Sequence, residues 1–322
     1  MRRRTFLQTL AAAAIAGPLA ARAQEAGRVY RLGVLGAVRT NATEALFAGL
    51  RQSGFVENEN LKVDYRAFAQ HVDLIPQYAT ELVQGNPDII FVTGDAAIRA
   101  MQKLTSAIPL LGLTEDMVGS GFVSSLAHPD GNTTGVSLLS AELDIKRQQI
   151  LIDAVPGLKV MAALVDANST QVSQLTAMQT EASARNVELL MFRISKADEI
   201  GPAIAAAKAA RAAALNVLAS PMLFGNRLEI MQYAQAQSLP AIYQFADMAA
   251  EGGLAAYGPT IKAVFGDTLA RQLVKLLRGA RPSDLPVEQP ARFDLVINLK
   301  VAKALGLDVP PTLLARADDV IE

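Results

Sequence analysis

Cysteine is absent and histidine occurs only twice, at His71 and His128. Thiol nucleophiles, thiolate zinc sites, iron–sulfur clusters and disulfides are therefore excluded together, as is a His-rich metal cluster. His71 reads as the start of a helix and His128 as part of a turn beside Pro129, both surface positions. The carboxylates offer more, because several stand where short apolar runs end: Asp95 in Thr93-Gly94-Asp95, Glu115 and Asp116 after Thr114, and Asp166 in Val165-Asp166-Ala167-Asn168. A carboxylate at a strand end can accept an ammonium group, a charge-assisted bond of about 1.5–3 kcal/mol. Gly94 permits close backbone approach, and the amides after it could hold a carboxylate or phosphate at a helix N-terminus.

A structural role competes at each of these places. Thr93 or Asp95 can cap the helix that follows, Asp95 can itself occupy the free amides, and Asp116 can cap the turn before Val118. Ser220-Pro221-Met222 and Tyr243-Gln244-Phe245 end later runs in the same way. Tyr243, Phe245 and Tyr257 stand out in a chain only 5% aromatic, able either to stack on an apolar ligand or to fill core. The expected ligand-contacting set is Thr93, Gly94, Asp95, Asp116, Asp166, Ser220, Tyr243 and Tyr257, with Glu115 a weaker candidate.

Enzyme signatures are missing. Gly33-Val34-Leu35-Gly36 lacks the Gly-x-Gly-x-x-Gly spacing of a dinucleotide loop, and neither a phosphate-binding Gly-x-x-x-x-Gly-Lys loop nor a Gly-x-Ser-x-Gly nucleophile elbow occurs. No catalytic residue, resident metal or cofactor is assigned, although counting leaves open a carboxylate-only magnesium or calcium site.

The elements that must position these loops follow a single rhythm. Apolar strand-like runs, Val29–Ala37, Leu61–Phe68, Asp88–Thr93, Pro109–Thr114 and Asn132–Leu138, alternate with segments of helical period. Helices are expected over Thr43–Ser53, Asp73–Gln84, Ala96–Thr105, Met117–Leu126 and Ala141–Val155. Pro156-Gly157 breaks the last of these, and the rhythm restarts with strands at Lys159–Val165, Val187–Arg193, Ala214–Ser220, Ala241–Tyr243 and Gly253–Tyr257. Two open, doubly wound α/β lobes imply a cleft between them, with ligands beyond the carboxyl ends of the strands.

With 322 residues, 51% hydrophobic and 19% charged, the chain can bury a large core and form about two domains. Four arginines (Arg2, Arg3, Arg4, Arg22) and no acid stand in the first 23 residues; the remainder has 26 basic against 31 acidic residues, a charge of −5. A mildly acidic body without a basic stripe argues against nucleic acid as a partner. The N-terminus has the order of an export signal: a charged start with paired arginines and Phe6-Leu7, an apolar run to Leu19, then Ala21-Arg22-Ala23. Cleavage after Ala23 is expected, through either a twin-arginine or an ordinary signal. No later stretch reaches the ~18 uninterrupted apolar residues of a spanning helix.

Over nearly its whole length the chain resembles the periplasmic substrate-binding proteins of ABC importers, of the type linked to tryptophan and tyrosine uptake. The likeness runs through Arg31-Leu32-Gly33-Val34-Leu35, Gly54-Phe55-Val56-Glu57 and Pro129-Asp130-Gly131-Asn132-Thr133-Thr134-Gly135. It continues in Leu276-Leu277-Arg278-Gly279-Ala280, Leu285-Pro286-Val287-Glu288-Gln289-Pro290 and Phe293-Asp294-Leu295-Val296-Ile297-Asn298-Leu299-Lys300. The resemblance implies a type I periplasmic binding protein-like fold whose lobes close on an amino acid or similar zwitterion. The loop of Thr93 and Gly94 would take the carboxylate and Asp116 the ammonium; the sequence departs from the family pattern at Asp95 and at Ser220-Pro221-Met222. Residues 27–138 with about 258–282 would form the first lobe, and 139–257 with about 283–322 the second, with crossings near Ser137–Ser140, Gly253–Tyr257 and Arg292–Ile297. A monomeric periplasmic protein delivering a small solute to an inner-membrane permease is the expected function. An exported cofactor-dependent α/β enzyme and a ligand-sensing partner of a membrane receptor are the rivals.

Overall fold

The computed structural model describes residues 27–36, 38–68 and 71–322; the export signal and its cleavage point lie outside them. Among the described residues twelve strands form two sheets. In the first, β1 (Tyr30–Gly36), β2 (Leu61–Ala67), β3 (Ile89–Thr93), β4 (Leu110–Thr114) and β5 (Thr133–Ser137) are all parallel, in the order β2-β1-β3-β4-β5. The second contains β6 (Val160–Asp166), β7 (Glu188–Ile194), β8 (Leu215–Val217), β9 (Ala241–Tyr243), β10 (Ala255–Gly258), β11 (Asp294–Asn298) and β12 (Asp319–Ile321). Its order, read from the other edge, is β7-β6-β8-β9-β10-β11-β12, so its first five strands repeat the topology of the first lobe. Among the described residues only β10 and β11 pair antiparallel.

Continuous apolar runs make these strands because helices cover both faces of each sheet. In β3, Ile89, Ile90, Phe91 and Val92 are all buried. The first lobe carries α1 (Asn41–Gln52), α2 (Ile75–Gln84) and α3 (Asp95–Leu104); the second carries α4 (Ser140–Ala154), α5 (Val172–Ala184), α6 (Ile200–Ala209), α7 (Pro221–Gly225) and α8 (Arg227–Ala236). After β10 the chain returns to the first lobe as a π-helical stretch, Lys262–Leu269, continuing into α9 (Ala270–Leu277), both packed on α1.

That excursion runs further than the expected boundary near 282. Glu288 bridges Val136 at the free edge of β5, and Thr134 Oγ1 donates to the Leu285 carbonyl at 2.7 Å. The chain therefore crosses back between Glu288 and Asp294. The crossing from β5 to α4 passes through Leu139, a non-glycine residue held at φ 57°.

The helix expected over Met117–Leu126 is absent. Asp116 Oδ1 accepts the Gly119 amide at 2.8 Å and Gly121 adopts φ 72°, so the chain makes one tight turn and ends it. The apolar residues there, Met117, Phe122 and Val123, are nonetheless buried, which is why their spacing imitates a helix.

Candidate functional site

Because the lobes share a topology and face one another, the loops after equivalent strands meet. The loop after β3 meets the one after β8: a Cβ on Gly94 would stand 2.8 Å from Pro221 Cγ. Gly94 also has φ 87°, so this contact between lobes needs a residue without a side chain for two separate reasons. The N-terminus of α1 makes a second bridge. Asn41 donates to Glu251 Oε1 at 2.8 Å and accepts from Arg227 at 3.1 Å, while Arg227 and Glu251 pair at 2.5 Å in the second lobe.

The Gly94–Pro221 contact divides the cleft. The larger part, about 600 Å³, is lined from the first lobe by Val34, Tyr65, Phe91, Thr93, Glu115 and Phe265, and from the second by Pro221, Phe224, Gln244 and Phe245. Its walls are a chain of aromatic contacts that crosses from one lobe to the other. Phe91 meets Phe265 edge-on with centroids 6.5 Å apart, Phe265 meets Phe245 at 6.5 Å, and Phe245 meets Phe224 at 5.2 Å. The polar edge comes from Thr40, Thr43 and Thr93, the hydroxyl of Tyr65, and Glu115.

Glu115 is the electrostatic centre of this cavity. Burial, then the negative charges of Asp144, Asp95 and Asp166, push its carboxyl up to about 8, with Arg147 pulling the other way. A carboxyl raised this far favours the protonated form at neutral pH. The arrangement suits a ligand with an aromatic body and one ammonium group.

The smaller part, about 350 Å³, is lined by Phe68, Val72, Thr93, Gly94, Asp95, Asp166, Asn168 and Met222. Asp95 accepts from the hydroxyls of Thr114 and of Ser120, the latter at 2.6 Å, so it neither caps α3 nor leaves its carboxylate free. Asp166 is buried, accepts the Asn168 amide at 2.9 Å, and has its carboxyl raised by burial.

Of the residues expected at the site, the cleft thus brings together Thr93, Gly94, Asp95 and Asp166. Ser220 stands behind its wall as the N-cap of α7, accepting from the Leu223 amide at 3.0 Å. Three more of the expected residues stand outside the lining of the cleft. Asp116 is exposed and caps the turn at Gly119, whereas its neighbour Glu115, the first residue beyond β4, lines the larger part of the cleft. Tyr243 is core, 1% exposed, with its ring against Gly253 and its hydroxyl raised by burial. Tyr257 packs on Phe293 at 6.3 Å and lines neither part of the cleft. His71 and His128 are exposed. Sequence reasoning weighed Phe245 as a stacking residue but missed Phe91, Phe224 and Phe265, whose apolar surroundings make them read as core.

Among the described residues there is no group of three or more potential metal ligands and no helix long and apolar enough to cross a membrane. A family model described as ABC transporter substrate binding protein matches residues 34–321. The chain belongs to that family. A relative of this substrate-binding protein, named tyrosine-binding protein in Clostridioides difficile (strain R20291), is 22% identical over 268 residues, 83% of this chain and 76% of that one. A conserved domain protein of Vibrio cholerae superposes with TM-score 0.81 at 24% identity, over 91% of this chain and all of the other. A structure of an ABC domain in complex with L-Trp from Streptococcus pneumonia gives 0.78 at 23% identity with the same coverage. The ligand-free, open structure of a substrate-binding protein from Clostridium difficile gives 0.57 at 22% identity, over 91% of this chain and 99% of that chain.

Proposed function

We propose that this substrate-binding protein captures an aromatic amino acid in the cleft between its lobes and delivers it to a membrane permease of an ABC importer. The observation that carries the reading is the aromatic chain Phe91–Phe265–Phe245–Phe224, which crosses the cleft and stands beside one raised carboxylate, Glu115. An aromatic ligand would pack against this lining of rings, and the Glu115 carboxylate would take the ammonium. The Gly94–Pro221 contact and the Asn41 bridge describe lobes brought together, and the better agreement with the L-Trp complex than with the open structure supports that state. Hinge closure removes water from the ligand and needs no covalent chemistry. Export after cleavage at Ala23 and action as a periplasmic monomer complete the proposal; the intact mass of protein from a periplasmic extract tests the cleavage.

The function is tested by thermal shift and calorimetry of the chain from Gln24 with L-tryptophan, L-tyrosine and L-phenylalanine against L-alanine and L-aspartate. At a hundredfold excess over Kd, a true ligand stabilises by about 2.7 kcal/mol. A shift with the aromatic set alone supports the reading. A shift with L-alanine or L-aspartate alone contradicts it.

A further inference from the structure

The cavity that Glu115 lines also carries a buried acceptor without a partner among the described residues. Gln244 is 7% exposed, lines the larger cavity, and its carboxamide oxygen has no hydrogen-bond donor among the described residues. A buried acceptor left unpaired is costly, so one in the lining of a cleft calls for a reason. Its position is built with care. Arg147, itself 1% exposed, donates from Nη2 to the Gln244 carbonyl at 3.0 Å and from Nε to the Tyr257 carbonyl at 2.8 Å, and its Nη1 is paired with Asp144 at 2.6 Å. Gly258 keeps the space against the same Gln244 carbonyl clear, since a Cβ there would overlap the oxygen. The backbone of residue 244 is therefore pinned from two sides, and the side chain it carries lines the cavity with its carboxamide oxygen unpaired among the described residues.

Topology adds the second observation. Glu115 is the first residue after β4 and Gln244 the first after β9, the fourth strands of two lobes with the same strand order. The two positions are counterparts across the cleft. We infer that the Gln244 carboxamide oxygen is a specificity-determining acceptor that completes the ammonium site begun by Glu115, so that a bound amine is gripped from both lobes. The inference rests on the aromatic amino acid reading and adds to it the residue by which the second lobe senses the amine. An amine touching both lobes ties its recognition to closure, and an analogue lacking the amine leaves the carboxamide unpaired.

The test uses three probes on the chain from Gln24: L-tryptophan, tryptamine, which keeps the ammonium and lacks the carboxylate, and indole-3-propionate, which keeps the carboxylate and lacks the ammonium. Gln244→Leu is expected to weaken the first two about tenfold or more and to leave the third unchanged. Gln244→Glu, which keeps an acceptor, is expected to restore tryptamine binding. Equal losses for all three probes, absence of rescue by Gln244→Glu, or unaltered tryptamine binding by Gln244→Leu would overturn the assignment of Gln244 while leaving the ligand class standing. Wild-type protein that binds none of the three overturns the ligand class and the assignment with it.

Discussion

At the scale of single residues the account turns on Glu115. Its carboxyl is raised from the ordinary glutamate range to about 8, so between those two values the folded protein holds a proton that the unfolded chain has released. The proton-linked stabilisation is complete below the ordinary value and is lost as pH rises through about 8. Glu115→Gln removes that dependence, and the Tm of the variant relative to wild type is expected to rise from pH 5 to pH 8.5 in ligand-free protein. A parallel fall of both Tm values would contradict the raised carboxyl. The same substitution is expected to weaken L-tryptophan about tenfold or more. Wild-type binding at pH 7 should release protons, seen as an apparent enthalpy that changes with the ionisation enthalpy of the buffer. The residue scale is also where sequence was least informative. Asp116 and Glu115 are adjacent carboxylates after one strand, and only the position of the last β4 residue and the Asp116–Gly119 turn decide which one faces the cleft.

At the scale of elements the sequence was far more legible. Alternating β-branched and helical runs located β1 to β10 to within a few residues, because parallel strands covered on both faces are continuous apolar runs. The failure at Met117–Leu126 has a local cause, a turn closed by Asp116 and Gly121. The π-helical stretch Lys262–Leu269 brings Phe265 into the cleft from a segment some 170 residues away from Phe91, which no local pattern conveys. Contacts between lobes are equally nonlocal, and two of them are open to test. Asn41→Ala removes both bonds from the tip of α1 to the Arg227–Glu251 pair and is expected to speed ligand release, with affinity down by roughly fivefold and the association rate unchanged. Gly94→Ala adds a clash with Pro221 to a backbone that favours glycine and is expected to prevent full approach of the lobes. Stopped-flow fluorescence with L-tyrosine measures both. An unchanged release rate in Asn41→Ala would remove the bridge from the closing mechanism.

At the scale of the whole molecule the design is a repeat. Two lobes that share a five-strand order present the ends of equivalent strands to each other, Gly94 against Pro221, with Glu115 and Gln244 lining one cavity, so the proposed site draws on both lobes. Small-angle scattering is expected to show a smaller radius of gyration with saturating L-tryptophan than without it; equal radii would mean that binding does not depend on closure. The central claim is tested most directly by a crystal structure of the chain from Gln24 with L-tryptophan. The indole is expected among Phe91, Phe224, Phe245 and Phe265, with the ammonium at hydrogen-bond distance, about 2.9 Å, from Glu115. A ligand in the smaller cavity between Asp95 and Asp166, or with its ammonium away from Glu115, would contradict it.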